Sequence, residues 1–247
     1  MKPAKFDYVA PETLDEALAL IGEDSRPLAG GQSLVPMLNF RLAQPARLVD
    51  LERVEGLSYI EAGSTLRIGA MTRQAALERS ALVAERWPLL HQAVRLVGHA
   101  QIRSRGTVGG SVAHADPKAE LPVALTALDA RFHVRSASGA RTLSAGQLFR
   151  GVLTTALEPD ELLVEIEVPA LPPRARTAFV EQARTLGDFA LAGAAVVLAP
   201  GYQAVALLGA AAVPVRAHLP APLDEIDDPY RRALLAALVD RAIAQAS

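Results

Sequence analysis

The stretch GHAQIRSRGTVGGSVAHADPKAELPVAL, residues 98–125, decides how the rest of the chain is read. At its centre, Arg105 to Ser111 (RGTVGGS) places three glycines and two hydroxyl side chains in seven positions. Glycine lets the backbone turn through positive φ and lets a ligand approach without a Cβ in the way. Successive backbone N–H groups in such a turn form a concave anion site, and a helix N-terminus behind it adds positive potential. LAGGQSL, residues 28–34, has the same grammar much earlier in the chain. The two turns are expected to close on one phosphate-rich ligand from two sides.

Neither turn carries a standard nucleotide motif. The dinucleotide pattern G-x-G-x-x-G and the phosphate loop G-x-x-x-x-G-K-[ST] are both absent. A pyrophosphate site here is of another kind.

Composition narrows the function classes. The 247 residues suit one large domain or two to three small ones, and 51% apolar with 21% charged residues is a globular mixture. With 27 acids against 25 bases, no global field recruits nucleic acid or an anionic membrane. Scarce aromatics further weaken base stacking. No apolar run reaches membrane-spanning length, and the N-terminal residues lack the hydrophobic region of a secretory signal, so a cytoplasmic location is expected. Cysteine is absent, which excludes disulfides, thiolate nucleophiles and cysteine-held iron–sulfur clusters on this chain. Redox chemistry here needs an organic cofactor.

Outward from the glycine turns, the pattern predicts a β-α-β-α-β opening. Phe6–Val9 starts it, Thr13 and Glu16 form a capping box on a helix ended by Gly22, and Arg47–Leu51 closes it. A hairpin around Gly63-Ser64 follows. Thr72 is read as the cap of a helix to Arg79, and Pro88 begins the second part of a helical region over 81–97. A helix is expected over 119–128, then strands at 130–134, 141–143 and 161–168 with a short helix near Ala145. In the last of these strands Leu163, Glu165 and Glu167 alternate with Val164, Ile166 and Val168, which predicts one wet face. PALPP, residues 169–173, is the clearest break. Beyond it a three-stranded meander (177–183, 190–198, 203–208), a proline-rich segment (213–222) and a final helix over 229–246 are expected. The division implied is 1–55, 56–173 and 174–247.

The chemistry-bearing side chains give no catalytic set. His91, His99, His114, His133 and His218 show no metal-binding spacing, and His99 and His114 are read as polar residues near a ligand. Ser33, Thr107 and Ser111 lack a nucleophile elbow and a base, so phosphate contact or helix capping is the preferred reading. Asp116 is expected to cap the helix at Ala119, and Glu120 to accept from a ligand hydroxyl.

AGGQSL at 29–34 with Pro36, QIRSRGTVGG at 101–110 and HADPKAELP at 114–122 together resemble the FAD-binding medium subunit of molybdenum hydroxylases, the carbon monoxide dehydrogenase and xanthine dehydrogenase family. ARTLGDFAL at 183–191, the Tyr230–Leu234 segment and Arg241-Ala242 extend the likeness over nearly the whole chain in the right order.

The resemblance implies an α+β flavoprotein. Two N-terminal subdomains, a small β-α-β module and a larger mixed α/β unit, would hold FAD, ahead of a shortened C-terminal antiparallel sheet with helices. Leu28, Ala29, Gly30, Gly31, Gln32, Ser33, Leu34 and Val35 would wrap the pyrophosphate together with Thr107, Val108, Gly109, Gly110 and Ser111. Asp116 joins the cofactor contacts, Glu120 matches the acid that takes ribityl hydroxyls, Leu163 an apolar flavin contact, and Phe189 an aromatic beside the isoalloxazine ring.

The resemblance also implies partners: a small subunit with [2Fe–2S] clusters and a large subunit with the molybdopterin cofactor, in a dimer of heterotrimers. Electrons would pass from substrate through the clusters to FAD and on to an external acceptor. Gln32, Ser111, Thr185 and Leu186 depart from residues frequent in that family, which bears on their side-chain contacts. A flavin-free structural subunit and a stand-alone flavin oxidoreductase are the competing readings.

Overall fold

The computed structural model describes residues 2–185, 187–221 and 223–247. β1 (Asp7–Val9), α1 (Leu14–Leu20), β2 (Ser25–Leu28), α2 (Leu34–Asn39) and β3 (Arg47–Asp50) make the expected β-α-β-α-β opening. The strands pair in parallel in the order β1-β3-β2. Local chemistry sets where α1 starts. Thr13 Oγ1 accepts from the Glu16 amide at 3.2 Å, and the Glu16 carboxylate accepts from the Thr13 amide at 3.2 Å. The helix turns Ala17 and Leu18 onto Val49, Leu51, Val54 and Leu57, a small core that also takes in Met71 and Leu162.

The second unit is a five-stranded antiparallel sheet with helices on one face. Its order along the chain is β4 (Ile60–Ala62), β5 (Thr65–Gly69), α3 (Gln74–Arg79), α4 (Ala81–Arg86), α5 (Pro88–Val94), α6 (Ala100–Arg105), α7 (Val108–His114) and α8 (Glu120–Ala127). Then come β6 (Arg131–Ser136), β7 (Gly139–Ser144), α9 (Ala145–Leu148), the hairpin β8 (Phe149–Gly151) and β9 (Thr154–Thr155), and β10 (Leu162–Pro169). In space the sheet runs β4-β5-β10-β6-β7. Leu66, Ile68, Phe132 and Ile166 face Leu77, Trp87, Leu90, Leu121 and Leu125 in the main core. Pro88, lacking an amide, opens α5 at its first turn and splits the helical stretch at Trp87 as predicted. The Trp87 indole donates to the Pro169 carbonyl at 2.8 Å.

Two expectations fail here for tertiary reasons. Thr72 does not cap α3. Its hydroxyl instead donates to the Tyr59 carbonyl at 2.8 Å and accepts from the Tyr59 amide at 3.1 Å, and Arg73 stands at the cap position. The wet face of β10 is also interrupted, because the register shifts between Leu163 and Glu165. The bulge leaves Glu165 buried, bonded by the Tyr59 hydroxyl and by Arg67 Nη2 at 2.6 Å. Burial opposes the Glu165 charge, yet Arg67 and Tyr59 hold its carboxyl below the usual range.

The third unit is β11 (Arg176–Gln182), β12 (Ala192–Ala199), β13 (Tyr202–Leu208), β14 (Val215–Ala217) and α10 (Pro229–Ala246). The expected three-stranded sheet has a fourth strand. Val215 and Ala217 in the proline-rich segment pair with Leu207 and Val205, so β13 is not an edge. Among the described residues it carries one helix, the final one expected over 229–246, where the resemblance implied helices. Asp228 caps that helix by accepting from the Tyr230 amide at 3.0 Å. Strand alternation splits β11 between two cores: Ala178 and Val180 pack with Leu235, Leu238 and Val239 of α10, and Phe179 enters the main core.

Candidate functional site: two glycine turns and a carboxyl pair

The two glycine turns meet. Gly30 is buried so closely on the second turn that a Cβ there would overlap the Arg105 carbonyl oxygen and lie 2.8 Å from Gly106 Cα. A Cβ on Gly110 would lie 2.6 Å from Thr107 Oγ1 and 3.3 Å from Ala29 Cβ. Gly31 sits at φ +71°, a conformation that L side chains rarely adopt.

Their chemistry is not symmetrical, which the sequence did not reveal. In the second turn the amides are already engaged. Val108 donates to the Thr72 carbonyl at 2.9 Å and Gly109 to the Ala70 carbonyl at 2.8 Å. Gly110 donates to Thr107 Oγ1 at 3.0 Å and Ser111 to the Thr107 carbonyl at 3.2 Å. The expected concave anion site at 107–111 is therefore a brace against residues 70–72. In the first turn, among the described residues, nothing accepts from the backbone amides of Gly31, Gln32, Ser33 and Leu34. These amides follow one another into the first residue of α2, as an anion nest requires.

Behind the second turn, residues 115–120 are pinned from two sides. Leu153 donates its amide to the Ala115 carbonyl at 3.1 Å, and Gly209 to that of Pro117 at 3.3 Å. Asp116 does not cap α8. Its Oδ1 accepts from the Lys118 amide at 2.9 Å in a local turn, and Ala119 stands at the cap position without a side-chain bond. Glu120, the first residue of α8, is only 6% exposed. Burial pushes its carboxyl up to about 8, and the charges of Glu181 and Asp116 act in the same direction.

A third segment closes the neighbourhood. Gly187, at φ +82°, lies so close to His99 that a Cβ there would overlap the imidazole ring. His99 begins the run through α6 to Arg105 and Gly106, so the 183–191 segment is tied to the glycine turns. Arg103 holds that run in place. It makes two bonds to the Glu78 carboxylate at 2.8 and 2.9 Å and bonds the Val97 and Gly98 carbonyls. Phe189 stands 63% exposed on this segment, its ring available to a ligand.

The remaining expected residues fall as follows. Leu28 and Val35 flank Gly31, where a Cβ would touch both side chains, and Val35 donates its amide to the Gly31 carbonyl. The Gln32 side chain folds back onto the Gly30 carbonyl at 3.1 Å. Ser33 is exposed and makes no cap bond, and Ser111 is half-buried. Leu163 is buried in the main core, next to Val164, whose carbonyl accepts from Ala70. Leu186 lies outside the described residues. Ala70, Arg103 and Glu181 were not singled out from sequence, and Thr72 was read only as a helix cap. The one available signal was for Glu181, an acid directly after the apolar run Ala178–Val180 and on the same side of β11 as Phe179.

An open cleft of about 400 Å³ lies elsewhere, between Leu14 and Leu57 and the polar sheet face. Its Arg67, His133 and Arg141 already pair with Glu165, Glu167 and Glu161, and the exposed Arg135 is its remaining cation. Among the described residues no cluster of three metal-ligating side chains occurs.

Residues 4–171 match the family described as the FAD binding domain in molybdopterin dehydrogenase. The chain is 42% identical over 202 residues to the 6-hydroxypseudooxynicotine dehydrogenase complex subunit alpha of Paenarthrobacter nicotinovorans, covering 80% of this chain and 68% of that one. It is 41% identical over 202 residues to the carbon monoxide dehydrogenase medium chain of Hydrogenophaga pseudoflava, covering 80% and 70%. A solved structure of carbon monoxide dehydrogenase from Hydrogenophaga pseudoflava superposes with TM-score 0.93 at 36% identity, over 100% of this chain and 98% of that one.

Proposed function

The chain belongs to the family of FAD-binding domains of molybdopterin dehydrogenases, and on that premise we propose how its residues hold the flavin nucleotide and what it serves. It is an FAD-dependent oxidoreductase subunit of the carbon monoxide dehydrogenase medium-chain type, and it works in a complex with other subunits. When bound, FAD supplies a carrier that takes electrons from the partners' centres and gives them to an acceptor.

The residues present fit that ligand. FAD joins an anionic pyrophosphate, a hydroxylated chain and a flat ring, and the three need different surroundings. Gly31 to Leu34 present four amides to the pyrophosphate. Gly30 and Gly110 keep the walls free of side chains so that the backbone approaches closely, and Val108 and Gly109 fix the second wall through the Ala70 and Thr72 carbonyls. Glu120 takes a ribityl hydroxyl, with Asp116 shaping the turn before it. Phe189 lies beside the flavin ring and Leu163 forms part of the apolar floor. The observation that carries the reading is the close approach of Gly30 to Arg105-Gly106 beside a run of amides with no acceptor.

The iron–sulfur clusters and the molybdopterin belong to a small and a large partner subunit, since this chain has no cysteine to hold a cluster. A dimer of heterotrimers and a cytoplasmic location complete the proposal, with residues 1–55, 56–173 and 174–247 as its three units. Among the described residues no helix is long and apolar enough to cross a membrane. Reconstitution of the purified chain with FAD tests the reading. A near-stoichiometric flavin spectrum is expected, and failure to retain FAD under any condition refutes it. Affinity capture from the native source tests the partners, which should include a cysteine-rich small chain.

A further inference from the structure

Residues 70–74 run between the two units. Ala70 and Thr72 hold the second glycine turn through their carbonyls, and Gln74 donates its amide to the Gly106 carbonyl at 2.9 Å. Arg73 pairs with Thr107 as a single antiparallel bridge. The backbone of this rail is therefore fastened to the second turn. Met71 turns the other way in its packing, into the small core of the first unit with Leu51 and Leu57.

The Arg73 side chain adds a polar link between the two. Its Nη2 donates to the Glu52 carboxylate, and its Nη1 donates to the Arg105 carbonyl. That carbonyl oxygen is the atom that a Cβ on Gly30 would overlap. Glu52 in turn follows Leu51, whose amide donates to the Leu28 carbonyl at 2.9 Å where LAGGQSL begins. The contacts close into a ring: Gly30 against Arg105, Arg105 to Arg73, Arg73 to Glu52, and Leu51 back to Leu28.

We propose that Arg73 is a positioning residue for FAD, its guanidinium setting the separation of the two glycine turns by bridging Glu52 and the Arg105 carbonyl. The inference rests on the reading of the Gly31–Leu34 amides as the pyrophosphate site, and adds the group that aligns them with the second wall. Guanidinium chemistry suits the task. Its planar fork presents donors in fixed directions, so one side chain spans two acceptors with little freedom left. Both Nη atoms are engaged by protein acceptors, so Arg73 acts on the ligand through the turns. Its side chain is 22% exposed and that of Glu52 48%. An ion pair so open to water contributes little to overall stability. Its effect falls on the geometry of the cradle.

The cysteine-free chain allows a direct test. Glu23 in the first unit and Glu85 on α4 in the second are exposed, so cysteines placed there take one spin label each. In the full-length chain without FAD, the wild-type background should give a narrow distribution of label distances. Arg73→Met should give a broad one that narrows when FAD is added. Equal widths in the two backgrounds overturn the proposal.

FAD titration followed by flavin fluorescence gives the second readout. Arg73→Met should weaken affinity about fivefold, the low end for coupling between sites, with the urea midpoint of the FAD-free chain unchanged. Glu52→Gln should weaken it by a similar factor, and the double variant no further, because both remove the same link. Glu52→Gln, at an exposed position, reads that link even if Arg73→Met does not fold. If Arg73 meets the phosphates itself, releasing it from Glu52 leaves affinity unchanged or raises it, and that result overturns the proposal. Failure of the wild-type chain to bind FAD under any condition would instead refute the proposed function, so the two failures are distinct.

Discussion

Replacing Gly30 by alanine puts one methyl group where the two glycine turns touch. The new Cβ would lie 2.8 Å from Gly106 Cα and 2.9 Å from the Arg105 carbonyl carbon. Carbon atoms rest at roughly 3.5–4.0 Å, so the turns must part by about 1 Å. Backbone strain does not enter, because Gly30 does not need positive φ. The neighbour is main chain, which cannot swing away as a side chain would. Overpacking of this kind costs about 1–3 kcal/mol, equivalent to roughly 5- to 150-fold in affinity if the bound state carries it. Two routes of relief exist. If the turns part, the fold is preserved and the pyrophosphate cradle widens. If they stay together, the strain appears in stability.

The amides of Gly31 to Leu34 lie on the side that moves, and α2 behind them is only six residues long. We therefore expect the turns to part, with FAD affinity of Gly30→Ala falling within that range and the urea midpoint nearly unchanged. Gly22→Ala is the matched control. A Cβ there meets nothing within 4 Å, and both affinity and midpoint should equal wild type. Fluorescence titration with FAD on the two variants decides the matter. Equal affinities in Gly30→Ala and Gly22→Ala would refute the claim that these turns close on the ligand.

Other outcomes follow from the same geometry. Phe189→Ala removes an exposed ring that makes no core contact, so the melting temperature should stay within about 2 °C of wild type while the spectrum of bound flavin shifts; identical spectra would count against stacking. Glu120→Gln should change the pH dependence of stability in a defined direction. A carboxyl raised by folding binds more protons in the native state, so wild type loses stability as pH climbs from the ordinary glutamate range through about 8. Urea midpoints of the FAD-free chain should then be similar for wild type and Glu120→Gln near pH 5 and higher for the variant near pH 9, and a gap that ignores pH would contradict the burial argument. Arg103→Ala leaves Glu78 and the carbonyls of Val97 and Gly98 without their donor, and should cost about 1–3 kcal/mol in denaturant unfolding with a several-fold weaker FAD affinity; loss of neither would show that the 98–105 run is held by packing alone.

What was legible in the sequence was what neighbours along the chain determine. Thr13 with Glu16, Pro88 and Pro229 act within one turn of helix, and the structure has each of them where the pattern puts it. The errors arose where a distant partner takes over a group. Thr72 has a good capping side chain, but Tyr59 offers it both a donor and an acceptor. Glu165 alternates as a wet residue until a bulge, set by pairing with His133, turns it onto Tyr59 and Arg67. β14 is three residues long in a proline-rich stretch, and it is held by distant groups: the ladder to β13, and bonds from Arg216 to the Ala127 carbonyl and the Tyr202 hydroxyl.

The same distinction explains the division of labour between the two glycine turns. Read along the chain, RGTVGGS is the richer motif, with hydroxyls and a helix start behind it. Two of its amides, those of Val108 and Gly109, belong to Thr72 and Ala70 far upstream, and no local pattern announces that. A wall that must hold its shape against a charged ligand benefits from being closed off in this way, because its donors cannot reorient toward water when the site is empty. Among the described residues the amides of Gly31 to Leu34 in the first turn have no such ties, and in the proposed reading they serve the ligand. In that reading rigidity comes from one turn and recognition from the other, and glycine is needed in both for different reasons. At Gly31 it supplies a positive φ, whereas at Gly30, Gly109 and Gly110 it supplies room. Alanine at Gly109 should therefore act through the fold, since its Cβ would press on Ala70 Cβ at 2.5 Å, while alanine at Gly30 should act through the ligand. A stability loss confined to Gly109→Ala and an affinity loss confined to Gly30→Ala would separate the brace from the cradle, and the reverse pattern would overturn the assignment.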